Sequence, residues 1–123
     1  MKTRMGRMLV VIALLGGFPA CSDMVEDLFL ADIGNQWTVE GDSDHTFFFD
    51  PEPSGRVEEA DFTGNEEFPG ESAPIVDGHF EGRAIRFTSQ RSTGAVNFAG
   101  TFRDENTMDI RGGGQTLVLR KGT

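Results

Sequence analysis

From Ile75 onward the chain breaks into short segments of alternating apolar and polar residues, each closed by turn-forming residues, and this feature constrains the fold more than any other. Residues 75–81, 82–89, 95–103, 107–111 and 115–120 have the length of ordinary strands. The joints at 90–94, 104–106 and 112–114 supply the Gly and Asn that hairpin turns demand. Ile85 with Phe87, then Val96, Phe98 and Phe102, then Met108 with Ile110, then Leu117 with Leu119, fall on one parity per segment. Side chains alternate across a strand with a period of two, so this pattern sets a common inward face across four consecutive strands.

The first half carries the same signal less cleanly. Residues 36–40 alternate, 41–44 read as a turn, and 45–50 as a second strand ending at the Pro-rich segment 51–55. Residues 56–62 form a short or bulged third strand, because Val57 and Phe62 lie on opposite parities. The stretch 63–74, with two Pro, two Gly and three Glu, reads as the longest loop. Residues 22–33 are the one helical candidate: Ser22 or Asp23 caps it, and Leu28, Phe29 and Ile33 form a stripe near the helix period. The expected fold is therefore all-β, an antiparallel meander of about seven or eight strands with a short N-terminal helix. So many short strands in a small domain close into a barrel, which removes exposed edges.

Ahead of this domain stands an export leader. Lys2, Arg4 and Arg7 precede an apolar run from Met8 to Leu15, and Gly16, Gly17 and Ala20 supply small residues before a cut. The run is too short to span a bilayer, which takes about 20 apolar residues. Cys21, the single cysteine, follows immediately and has no internal disulfide partner. The segment Phe18-Pro19-Ala20-Cys21 resembles the lipobox of bacterial lipoproteins, with Phe18 in the aliphatic place and Pro19 in the small-residue place. The resemblance implies lipidation of Cys21, a membrane partner through that anchor, and, from Ser22 after the cysteine, the outer membrane facing the periplasm. Cleavage after Ser22 by an ordinary signal peptidase is the alternative. The expected organisation is a signal peptide over 1–20, a tether and short helix over 21–33, and a barrel domain over 34–123.

Charge narrows the partners. The leader holds three of the 11 Lys and Arg and none of the 20 Asp and Glu, so the remainder carries a net charge of −12. Nucleic acid is excluded on this ground, since phosphate binding needs a basic face. The acid is concentrated in residues 22–70, with 14 acidic residues against Arg56 alone. One side of the domain is therefore expected to be acidic.

Catalytic and metal chemistry find little support in the pattern. His45 and His79 read as surface histidines, and no serine is placed with either. Asp42, Asp44, His45 and Asp50 suggest an oxygen-rich cation site, but Phe47 and Pro53 stand where a calcium loop needs Gly and Glu. Neither a metal, a cofactor nor an enzymatic activity is expected. The run Phe47 to Phe49 must show at least one ring outward, either packed under the acidic loop or helix or as a partner-binding edge, for which Phe48 is the candidate residue.

The run Phe98-Ala-Gly-Thr-Phe102, the hairpin over 104–108 and the final apolar strand ending in a base resemble the small lipocalin-like lipoproteins of bacterial envelopes, members of the calycin barrels. The lipocalin Gly-x-Trp motif is replaced by Gly34-Asn-Gln-Trp37, and the chain contains no Tyr. What the resemblance implies is a barrel floor in which Trp37 packs against Arg120 or Lys121. It also implies binding, either of a small apolar molecule, with Phe87, Phe98 and Phe102 facing it and a pocket opening at Gly100, or of an envelope protein by a filled barrel.

Overall fold

The computed structural model describes residues 28–122, so the leader, Cys21 and the start of the expected helix lie outside the described residues. Eight strands follow in chain order: β1 (Asn35–Val39), β2 (Asp42–Glu52), β3 (Glu59–Phe68), β4 (Glu71–Glu81), β5 (Ala84–Arg91), β6 (Gly94–Asp104), β7 (Thr107–Gly112) and β8 (Gln115–Lys121). Each pairs antiparallel with the next, and β1 pairs with β8 through Trp37 opposite Lys121, Thr38 opposite Arg120 and Val39 opposite Leu119. The result is a closed up-and-down barrel. Closure leaves no strand edge to template association.

The alternation in the sequence becomes an inside and an outside. Phe47, Phe49, Phe62, Phe80, Phe87, Phe98 and Phe102 are buried together with Ile75, Ile85, Met108, Ile110 and Leu119. Between them Asp50, Asp61, Glu67, Arg86, Arg103 and Arg111 face water. A strand barrel that crosses a membrane shows the reverse order, with an apolar band outward. The interior is packed ring against ring: Phe87 stacks on Phe98 at 5.2 Å between centroids, and Phe47 meets Phe87 edge-on at 5.8 Å. Such pairs contribute about 0.5–1.5 kcal/mol each beyond the area they bury.

Two expectations are corrected. Residues 28–33 are extended, and no helix occurs among the described residues. Ala31 instead forms an isolated bridge with Val57, donating to the Val57 carbonyl at 2.9 Å and accepting from its N–H at 3.0 Å. The apolar residues from Phe29 on close the barrel, with Ala31 and Ile33 fully buried and the Phe29 ring 5.2 Å from that of Phe102, while Leu28 of the expected stripe is exposed. The second correction concerns 63–74, which is no loop. β3 and β4 run through it and turn only at Pro69 and Gly70. The early segment read as strand, 56–58, precedes β3, with Val57 in the bridge to Ala31. The charge that suggested a loop sits outward on the barrel wall, except for one residue, Glu66.

Gly64 lies where β3 crosses β2. A Cβ there would stand 1.9 Å from the Phe48 carbonyl oxygen, so the two backbones meet at a distance only glycine permits. The register shift between Phe62 and Gly64 marks the same bend.

Candidate functional site

The two ends of the barrel differ. At one end, entered by the chain, the segment 28–34 covers the core. Trp37 is fully buried and its indole N–H donates to the Ile33 carbonyl at 3.0 Å. Lys121, opposite Trp37 in the register, donates through Nζ to the Asp32 carbonyl. The Arg83 guanidinium lies 4.3 Å from the Phe29 ring centroid and donates to the carbonyls of Phe102 and Arg103. The floor is thus a strap tied by two cations and one indole. The base beside Trp37 is Lys121; Arg120, one residue earlier and so on the opposite face, reaches outward to Glu40 at 2.9 Å.

At the other end the inward positions are polar and close on a single carboxylate. Glu66 of β3 is completely buried. Its Oε1 accepts from Ser89 Oγ at 2.6 Å and from Arg91 Nε at 2.9 Å. Its Oε2 accepts from Arg91 Nη2 at 2.6 Å and pairs with His45 Nε2 at 2.5 Å. Ser89 and Arg91 come from β5 and His45 from β2, so the cluster ties three strands together at the barrel mouth. Above and below it are rings: His45 stacks on Phe47 at 5.1 Å and on Phe68 at 5.3 Å, and the Arg91 guanidinium lies 5.2 Å from Phe68 and 5.5 Å from Phe98.

Burial pushes the Glu66 carboxyl up, but hydrogen bonds from His45, Arg91 and Ser89, with the Arg91 charge, outweigh it and hold the group at about 2. Glu66 is therefore ionised at any physiological pH, with both oxygens satisfied. Such a group is a poor base. The Ser89 hydroxyl donates to this carboxylate, which is too weak a base to take its proton. What the arrangement does is hold β2, β3 and β5 together across the mouth and shut the interior from above.

The remaining expected site residues are dispersed. Phe87, Phe98 and Phe102 face inward but contact one another and their neighbours as core. Gly100 opens no internal pocket. A Cβ there would stand 2.0 Å from the Asp109 carbonyl oxygen, so the small residue serves the close approach of β6 and β7. The space beside it is an outer groove of about 300 Å³ lined by Ala99, Thr101, Asp109, Arg111 and Thr116. Phe48 projects outward between the buried Phe47 and Phe49, 38% exposed. His45 is a half-buried member of the mouth cluster and no surface histidine. Arg103 pairs with Asp109 through two bonds of 2.8 and 2.7 Å, so it belongs to a cross-strand ion pair.

A larger outer groove, about 520 Å³, runs over β2 to β5 beside Asp50, Glu52, Asp61, Asp77, His79 and Arg86. Glu66, Ser89 and Arg91 were not distinguishable in the sequence. The signal for Glu66 was its parity with Ala60 and Phe62, readable only once 63–74 is known to be strand.

These features define a class: a small, water-facing up-and-down barrel with a packed aromatic interior, a strap across one end and a buried ionic cluster across the other. No family model, no curated protein and no solved structure matches the chain.

Proposed function

We propose that the protein is an exported, lipid-anchored envelope barrel of calycin-like type that acts by binding another envelope protein through its outer surface, without enzymatic activity. The observation that carries this reading is the interior, filled by aromatic side chains and closed by Glu66 with His45, Ser89 and Arg91. A carrier of an acyl chain needs empty apolar space, whereas a packed barrel offers only its outside. Outside, the exposed Phe48 stands between Gln36 and Asn65 on the paired strands, with Asp50 and Glu67 one step further along the same face, a patch suited to a partner that is apolar at its centre and polar to basic at its rim.

The leader and Cys21 support the anchor, and Ser22 supports the outer membrane, facing the periplasm. Cys21→Ala is expected to move the protein from the membrane fraction to the soluble fraction of its host, because a lipid chain supplies the membrane affinity. A wild-type protein already found in the soluble fraction would remove the anchor from this reading.

Titration with fatty acids, followed through the emission of the single Trp37, tests the filled interior. The expected result is no saturable change. Saturable one-to-one binding below micromolar concentration overturns the interaction reading in favour of a small-molecule carrier. Photo-crosslinking from position 48 in envelopes is expected to trap one discrete protein adduct, and loss of that adduct on Asn65→Arg, at the position paired with 48 on the neighbouring strand, would tie it to this patch.

A further inference from the structure

We propose that the outer face of the β3–β4 hairpin is a binding site for a divalent cation of the zinc class, held by Glu59, Glu81 and His79 Nε2, with Asp61 fixing the imidazole. The register brings these residues together. Glu59 stands directly opposite Glu81, and Asp61 directly opposite His79, two residues further along the same face. Two carboxylates placed opposite one another on paired strands repel, and a cation between them reverses the sign of that interaction.

The imidazole is presented in the way a metal ligand is. Asp61 Oδ1 lies 2.7 Å from His79 Nδ1, and an ionised carboxylate can only accept, so Nδ1 carries the proton and donates it. That leaves Nε2 to face the two glutamates. A carboxylate behind the ring of a metal-ligating histidine, holding the tautomer and orientation, is the recurring outer shell of zinc sites.

The distances fit a tetrahedral ion. Ligands about 2.0–2.1 Å from a tetrahedral zinc lie about 3.3 Å from one another. His79 Nε2 and Glu59 Oε2 are 3.2 Å apart. One ligand atom from each of Glu59, His79 and Glu81 lies within 4.8 Å of the others, so a small rotation of Glu81 completes three protein ligands, with water in the fourth position. One imidazole and two carboxylates select a borderline ion such as Zn²⁺ over Ca²⁺ or Mg²⁺, which take oxygen alone. Asp61 and His79 also line the larger groove, where Asp50, Glu52 and Asp77 add negative charge that draws cations in, against Arg86.

The test is calorimetric titration of Zn²⁺ into the metal-stripped full chain carrying Cys21→Ser, so that no thiol competes. The expected result is saturable uptake of one equivalent in the micromolar range, unaffected by millimolar Ca²⁺ or Mg²⁺, and a Co²⁺ complex with the visible absorption of a tetrahedral site. His79→Ala is expected to abolish saturable uptake, and Glu59→Gln and Glu81→Gln to weaken it at least tenfold each, with melting temperatures in the absence of metal kept near that of the parent. Asp61→Asn leaves all three ligands in place and is expected to weaken binding about 10–100-fold, with Asp61→Glu recovering most of it. That recovery identifies Asp61 as a positioning residue. If Zn²⁺ gives no saturable heat, or binds equally well to the His79→Ala protein, the cluster holds only a proton between His79 and Glu59 and the proposal falls. These outcomes do not bear on whether the barrel meets an envelope partner.

Discussion

Arg91→Met should remove about 3–5 kcal/mol of stability, because it leaves the Glu66 carboxylate buried and without its bidentate partner. Against about 5–15 kcal/mol for a whole domain, much of the protein would then be unfolded at the growth temperature of its host. Met keeps an unbranched apolar stem but not the guanidinium that lies over Phe68 and Phe98, so the loss reports the charge together with its contacts on the two rings. The pair Glu66→Leu with Arg91→Met should recover much of the deficit, since apolar replacement of a whole buried ion pair is often neutral. Urea unfolding of wild type, the two single variants and the pair gives the coupling directly. An Arg91→Met midpoint equal to that of wild type would show that the mouth cluster holds nothing together.

The same cluster fixes the acid limb of stability. Glu66 is held at about 2 in the folded protein against an ordinary value of 4.5. A depressed carboxyl contributes stability that is fully present above the unfolded value and is lost as pH falls through the folded one. Each tenfold gain in acidity on folding is worth about 1.4 kcal/mol, so Glu66 contributes about 3 kcal/mol at neutral pH. That contribution is lost between about pH 4.5 and pH 2. Urea midpoints measured down this range should fall in the wild type and flatten in the Glu66→Leu, Arg91→Met pair.

Trp37→Ala should be as costly, for a different reason. Truncating a large buried aromatic costs about 3–5 kcal/mol, through lost transfer energy and the cavity left behind. Here the cavity would lie between the strap and the rings of Phe49 and Phe102, which stand 6.5 and 6.3 Å from the indole. The Ile33 carbonyl would also lose its donor, and an unsatisfied buried acceptor costs about 1–3 kcal/mol in its own right. Trp37→Phe separates the two effects, keeping most of the volume and losing the hydrogen bond. A Trp37→Ala melting temperature equal to that of wild type, or wild-type emission like that of free indole in water, would contradict the floor described here.

The wall of the barrel was legible from β5 onward because the inward positions of each strand there keep one parity, whereas β4 changes parity between Ile75 and Phe80 at a register shift. Ile85, Phe87, Phe98, Phe102, Met108, Ile110 and Leu119 take the inward face that their spacing requires. The last turn was legible for the same local reason, as Gly113 and Gly114 adopt the positive φ that tight hairpins need, whereas Gly82, read as the start of a strand, sits at positive φ in the turn between β4 and β5. The first half was less so. Pro74 and three glutamates made 63–74 look like a loop, although residues 64 to 68 pair with 71 to 75 across a two-residue turn.

By its own periodicity, then, the sequence determined an all-β chain of short antiparallel strands with a common apolar face, because alternation is a local property that each strand carries by itself. Tertiary structure alone decided the rest. Whether Leu28 to Ile33 would be helix or strap depended on Val57 offering both its backbone groups to Ala31, a contact 26 residues away that outweighs a weak local preference. Which glutamate would turn inward depended on register, since a slip of one residue exchanges Glu66 with Glu67. Glu66 tolerates burial only because Ser89 and Arg91, more than 20 residues later, arrive on β5, two strands along the wall, with the donors it needs. Glu59, Asp61, His79 and Glu81 meet for the same reason: hairpin register is a property of the folded pair, and neither strand carries it alone.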